Sequence, residues 1–91
     1  MRDFAIGEPP QHVLVANVEG VLYAAQGRCP HGKTLLARGD LCERRVVCLT
    51  HRYEFDLVTG RSDEDSELLL RRYPVNVLGD GIFVDLEVQS L

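Results

Sequence analysis

The sequence predicts an all-β fold, an antiparallel sandwich or barrel of short strands. Three observations carry this: β-favouring runs recur at short spacing, Gly-containing turns separate them, and no stretch holds a helical period. The chain has 91 residues, of which 45% are hydrophobic, enough for one core but not for two. A single domain over residues 1–91 is therefore expected.

The first runs are His12–Ala16 and Val21–Ala25, with Asn17-Val18-Glu19-Gly20 as the turn between them. Arg45–Leu49 forms a further strand, and the alternation of Tyr53–Leu57 makes it the natural hairpin partner. Thr59-Gly60 then turns the chain. Leu68–Tyr73 has an ambiguous period, but Pro74 disfavours a helical residue before it, so the extended reading is taken. Val75–Leu78 and Ile82–Leu86 flank Gly79-Asp80-Gly81, a strong hairpin signal. Gly27, Gly32 and Gly39 lie where tight turns are expected to need positive φ, and Pro30 stiffens the same loop.

Between these strands sit two clusters, Cys29-Pro30-His31-Gly32 and Cys48-Leu49-Thr50-His51, with 16 residues between His31 and Cys48. Each supplies one thiolate and one imidazole, giving a candidate metal site of Cys29, His31, Cys48 and His51. A zinc finger usually puts both cysteines on one arm and both histidines on the other. The mixed order lets each arm give its cysteine to one iron and its histidine to a second, as in a [2Fe–2S] centre with two histidines on one iron. A structural zinc ion is the alternative. On the strand map the two arms are loops at the tips of neighbouring hairpins, placed to close on one cofactor. Two thiolates balance the charge of an oxidised cluster core and neutral imidazoles add none. One electron thus enters a neutral centre, which costs less than adding it to an all-cysteine site.

Composition narrows the partners. A net charge of −4 and a pI near 5.2 argue against nucleic-acid binding. No apolar run is long enough to span a bilayer, and Met1–Gly7 lacks the apolar core of a secretory signal. Three cysteines, two with histidines at ligand spacing, fit metal-bound thiolates in a reducing cytoplasm better than a disulfide scaffold. Cys42 reads as a free thiol and His12 as a surface histidine. The run from Ser62 to Glu67 is a solvated acidic loop or a docking patch for a basic partner. Arg44-Arg45 and Arg71-Arg72 read as solvated faces. Of 3 histidines only His12 remains after the ligands, too few for a mononuclear iron held by two histidines and a carboxylate. With no nucleophile elbow or phosphate loop either, catalysis is expected on another protein.

From Gly20 to Leu86 the chain resembles the Rieske ferredoxin family. The resemblance rests on Leu22-Tyr23-Ala24, Cys29-Pro30-His31-Gly32, Leu35-Leu36, Gly39, Val46-Val47-Cys48, His51, Phe55-Asp56-Leu57, Thr59-Gly60, Tyr73-Pro74-Val75 and Gly79-Asp80. It implies a small Rieske domain whose cluster-binding part, about residues 27–60, is formed by two hairpin loops. It implies a monomeric one-electron carrier taking electrons from an NAD(P)H-dependent flavin reductase to a terminal oxygenase. A small redox subunit of an enzyme such as nitrite reductase is the family's other role. The family's usual first strand is expected to be largely missing, because only about ten residues precede the His12 run.

High-potential members add a cysteine to each ligand loop. Thr34 and Thr50 match those positions, so no such cross-link forms. Those members also hold the cluster with a Ser and a Tyr hydroxyl, matched here by Tyr53 and Phe55, so the second donor is absent. Fewer donors stabilise the reduced cluster less, which implies a potential of roughly −150 to 0 mV, falling at alkaline pH as ligand imidazole N–H groups deprotonate. Leu49 and Arg52 replace the family's usual Pro and Gly, a departure that leans towards the ferredoxins of diiron toluene-type monooxygenases. Arg52 beside a ligand histidine is placed to tune potential or to choose a partner.

Overall fold

Alternation along Gln11–Val18 sends Val13 and Val15 to one side of a strand and Leu14 and Ala16 to the other, and both sides are covered. This strand, β2, is the long centre of a four-stranded antiparallel sheet. Its neighbours are β1 (Arg2–Ile6) and β3 (Val21–Gln26), and β3 pairs on its far side with β7 (Arg72–Tyr73). The computed structural model describes residues 1–50, 52–62, 64–65 and 67–86. Within them a second sheet comprises β4 (Asp40–Cys42), β5 (Arg45–Val47) and β6 (Glu54–Asp56), and β8 (Val75–Leu78) pairs with β9 (Gly81–Val84) as a separate hairpin. The one helical element described is a 3-10 turn at Leu36–Arg38.

The β2–β3 hairpin forms as expected. Val18 pairs with Val21 across Glu19-Gly20, both at positive φ (53° and 88°), the geometry that matches strand twist in a two-residue turn. The Asn17 side chain accepts the Gly20 N–H at 2.9 Å. The β5–β6 and β8–β9 pairs also appear where alternation placed them, and residues 68–73 are extended, with a bridge from Leu69 to Arg61 and strand β7.

Two expectations are corrected. The first strand is not missing: β1 pairs with β2 from Arg2↔Val15 to Ile6↔Gln11. It is an exposed edge strand held by backbone pairing, with its apolar Phe4 and Ile6 40% and 42% exposed rather than packed in the core. Gly27, Gly32 and Gly39 do not adopt positive φ. Two of them matter through crowding. A Cβ at Gly27 would lie 2.7 Å from His12 Cβ, and one at Gly39 would overlap the Val47 carbonyl.

The base sheet is covered on both faces. Leu14, Ala16 and Ala25 pack with Leu36, Val46, Phe55, Leu57, Leu70 and both inner cysteines. On the other side Val13, Ala24 and Tyr73 meet Val75, Val84 and Leu86. Between β1, β2 and β9 that second side leaves an open apolar groove of about 650 Å³, lined by residues such as Phe4, Ile6, Val15 and Ile82. The first core fixes the two Cys–His loops, because Cys29 and Cys48 are part of it.

Candidate metal centre

β3 delivers the first arm. The Gly27 N–H donates to His12 O (2.8 Å), and the Gly27 carbonyl accepts the Leu36 N–H (2.8 Å), anchoring both ends of the following loop. Cys29 N–H donates to Thr34 O at 2.9 Å and Gly32 N–H to Cys29 O at 3.1 Å, closing a tight turn around His31. Arg28 Nη1 donates to Lys33 O at 2.7 Å across the same turn. β5 delivers the second arm, closed by Cys48 N–H donating to Tyr53 O at 2.7 Å. The arms are joined at their tips by a 2.7 Å hydrogen bond between the hydroxyls of Thr34 and Thr50.

Cys29 and Cys48 are 2% and 1% exposed and neither is in a disulfide. Burial pushes the Cys29 thiol above its ordinary value of 9.0; the backbone N–H groups of His31 and Gly32 oppose this, and the Cys48 side chain pushes it further up. The two sulfur side chains therefore sit together in the core. His31 is exposed, and its ring stacks on Tyr53 with centroids 4.1 Å apart and planes 21° from parallel. No three His, Cys, Asp or Glu side chains converge on one point among the described residues. His51, the fourth predicted ligand, lies outside the described residues.

The donor set fits a two-iron group. Two adjacent buried thiols provide soft ligands whose ionisation the backbone N–H groups of His31 and Gly32 favour, and the outward imidazole of the first arm offers a second, solvent-facing pole. The first arm thus turns its sulfur inwards and its imidazole outwards.

Other sequence readings are placed as follows. Cys42 is an exposed free thiol, as expected. His12 is not a plain surface histidine: its half-buried ring meets Asp3 with Nδ1 2.6 Å from Oδ2, bracing β1 against β2. Within the acidic run, Glu64 accepts the Glu54 N–H at 2.8 Å and Ser62 Oγ accepts N–H groups of Glu64 and Asp65, whereas Asp63 and Ser66 lie outside the described residues. Arg44 is drawn to buried Asp56 at 2.8 Å, so it is more than a solvated cation. Arg52 is exposed, holds φ +59°, and stands 4.0 Å from Asp40. Sequence reasoning missed the Thr34–Thr50 tie and the His31–Tyr53 stack. The signal for the tie was present in the two threonines at the cross-link positions.

A base sheet bearing two thiol loops at one end defines a class of small all-β domains built around a paired-loop site. Among known families the Rieske [2Fe-2S] domain model matches residues 2–74. The chain belongs to that family, whose cofactor is a [2Fe–2S] cluster. It is 36% identical over 81 residues to the ferredoxin component of biphenyl 2,3-dioxygenase of Rhodococcus jostii, covering 88% of this chain and 76% of the relative. It is 34% identical over 77 residues to the ferredoxin component of the naphthalene 1,2-dioxygenase system of Pseudomonas aeruginosa, covering 84% and 74%. The fold matches the solved complex of reduced oxygenase and oxidised ferredoxin in carbazole 1,9a-dioxygenase, with a TM-score of 0.82, 24% identity, and coverage of 92% and 86%. These relatives carry dioxygenase names, against the lean towards monooxygenase ferredoxins drawn from Leu49 and Arg52. No helix among the described residues is long and apolar enough to cross a membrane.

Proposed function

We propose that this chain is a soluble, cytoplasmic one-electron carrier of a multicomponent oxygenase, a single domain over residues 1–91 working as a monomer. Cys29 and Cys48 would hold one iron of the cluster, and His31 and His51 the other. The observation that carries the reading is the pairing of two buried thiols beneath an exposed imidazole. When bound, the cluster supplies a reversible one-electron step.

The chain's own residues do the rest. The backbone N–H groups of His31 and Gly32 lower the Cys29 thiol's pKa against the effect of burial, which favours its charged form. Tyr53 holds the His31 ring in one orientation, and the thiols' burial among Leu36, Val46 and Phe55 keeps water from the sulfur side. Exposure of His31 leaves that edge open to a second protein. An NAD(P)H-dependent flavin reductase donates the electron and a terminal oxygenase receives it. The family membership and the dioxygenase ferredoxins among its relatives support this assignment.

The test is an absorption spectrum before and after dithionite, on protein purified without oxygen, with iron, sulfide and zinc analysis. About two irons and two sulfides per chain, with colour that bleaches on reduction, is the expected result. A colourless protein holding about one zinc would overturn it.

A further inference from the structure

Charge is distributed unevenly over this chain, and its sign reverses at the site. Residues 28–39 and 48–53, the two arms and their flanks, contain Arg28, Lys33, Arg38 and Arg52 and no carboxylate. With 10 basic and 14 acidic residues in all, the arms carry four positive charges and the remaining chain a net eight negative ones. All four cations are exposed. Among the described residues, carboxylates border the arms at three places: Asp40 stands 4.0 Å from Arg52, Glu54 follows Tyr53 and its N–H donates to Glu64, and Asp3, paired with His12, lies against Gly27 at the foot of the first arm. At the apex, Leu49 is 59% exposed directly beside buried Cys48.

We infer that the ligand-loop tip is a cationic docking cap for an acidic surface on the redox partner, with Leu49 as its apolar centre. This rests on the carrier function proposed above and specifies the partner's surface. An acidic body with a basic tip is oriented before contact. An acidic partner attracts the end from which the electron leaves and repels the rest, which raises productive encounters rather than affinity. The acidic run is then the flank that a wrongly turned encounter meets, not the docking patch. The sequence reading offered the acidic run as a solvated loop or a docking patch and gave Arg52 a partner role, but did not join Arg52 to the basic residues dispersed along the two loops.

The experiment uses inorganic probes on the cluster-loaded, dithionite-reduced protein. Hexacyanoferrate(III) takes one electron from it and becomes hexacyanoferrate(II). Its rate is measured against ionic strength for the natural chain, for the double variant Lys33→Gln with Arg52→Gln, and for Asn17→Asp. Asn17 is near the end of β2, paired with Leu22 beside the β2–β3 turn and at the opposite end of β3 from the first arm, and an aspartate there still accepts the Gly20 N–H. If the cap governs approach, the anionic probe reacts more slowly as salt rises, despite the net charge of −4. The double variant then loses roughly 3- to 10-fold in rate at low salt, and Asn17→Asp stays within about 1.5-fold of the natural chain. A rate that rises with salt, or Asn17→Asp slowing the reaction as much as the double variant, overturns the cap. A chain that takes up no iron and sulfide overturns the carrier reading and the cap with it. A loaded chain with the wrong salt slope overturns the cap alone.

Discussion

Arg52 shows how one residue serves two demands. Its backbone is left-handed (φ +59°), a conformation that glycine adopts freely and a residue with a Cβ adopts at a cost of about 1 kcal/mol or more. The side chain is 75% exposed and its one described ion pair is at 4.0 Å, too long and too exposed to offset that cost. Arg52→Gly is thus expected to raise unfolding stability by about 1 kcal/mol, read as a higher midpoint in urea. An unchanged or lower midpoint would show that the guanidinium contributes more than its contacts suggest. The sequence revealed the substitution through the family pattern, but not its cost, because φ cannot be read from residue type. Tyr53 is a similar case. Its place was legible as the counterpart of a hydroxyl donor, whereas its stacking on His31 depends on how two loops distant in sequence meet.

At the level of elements, hairpins were legible and edges were not. The β2–β3, β5–β6 and β8–β9 pairs each announce themselves by alternation on both sides of a turn. β1 and β4 are short edge strands that pair through the backbone, and the apolar side chains they carry, such as Phe4 and Ile6, are not buried in the core. The arms' positions were readable from ligand spacing, but not the clamps beneath them. Gly39 lies against the strand end that carries Cys48, where an added Cβ would overlap the Val47 carbonyl and lie 3.3 Å from the Leu49 nitrogen. Gly39→Ala must therefore push the second arm away from the first, costing about 1–3 kcal/mol as overpacking does. Faster loss of the visible cluster absorbance in the presence of a chelator is the expected readout. Retention equal to the natural chain would mean the arm yields without moving Cys48.

For the whole molecule, the site and the core are one object. Cys29 and Cys48 pack among the same side chains that join the base sheet to the β4–β5–β6 sheet, so thiol ionisation and folding are linked. The metal-free folded chain binds the Cys29 proton more tightly than the unfolded chain, since burial raises its value above 9.0. That contribution is complete below pH of about 9 and is lost as pH rises through the higher folded value. Thermal melts of metal-free protein should show a falling midpoint above pH 9, while cluster-loaded protein, whose thiolates are already committed to iron, should lack this dependence. A flat profile for both would mean that the thiols are hydrated in the metal-free state. The sequence could propose these cysteines as ligands, but not show that they are also core residues, because that depends on which sheet face closes over them.

The hydroxyl pair that links the loop tips has a consequence for where the site can work. A covalent sulfur clasp opens when its surroundings become sufficiently reducing. Two alcohols exchange no electrons with thiols or flavins, so the Thr34–Thr50 tie is blind to the redox poise around it. Its strength is set by geometry and water alone, so charging and discharging the site neither makes nor breaks it.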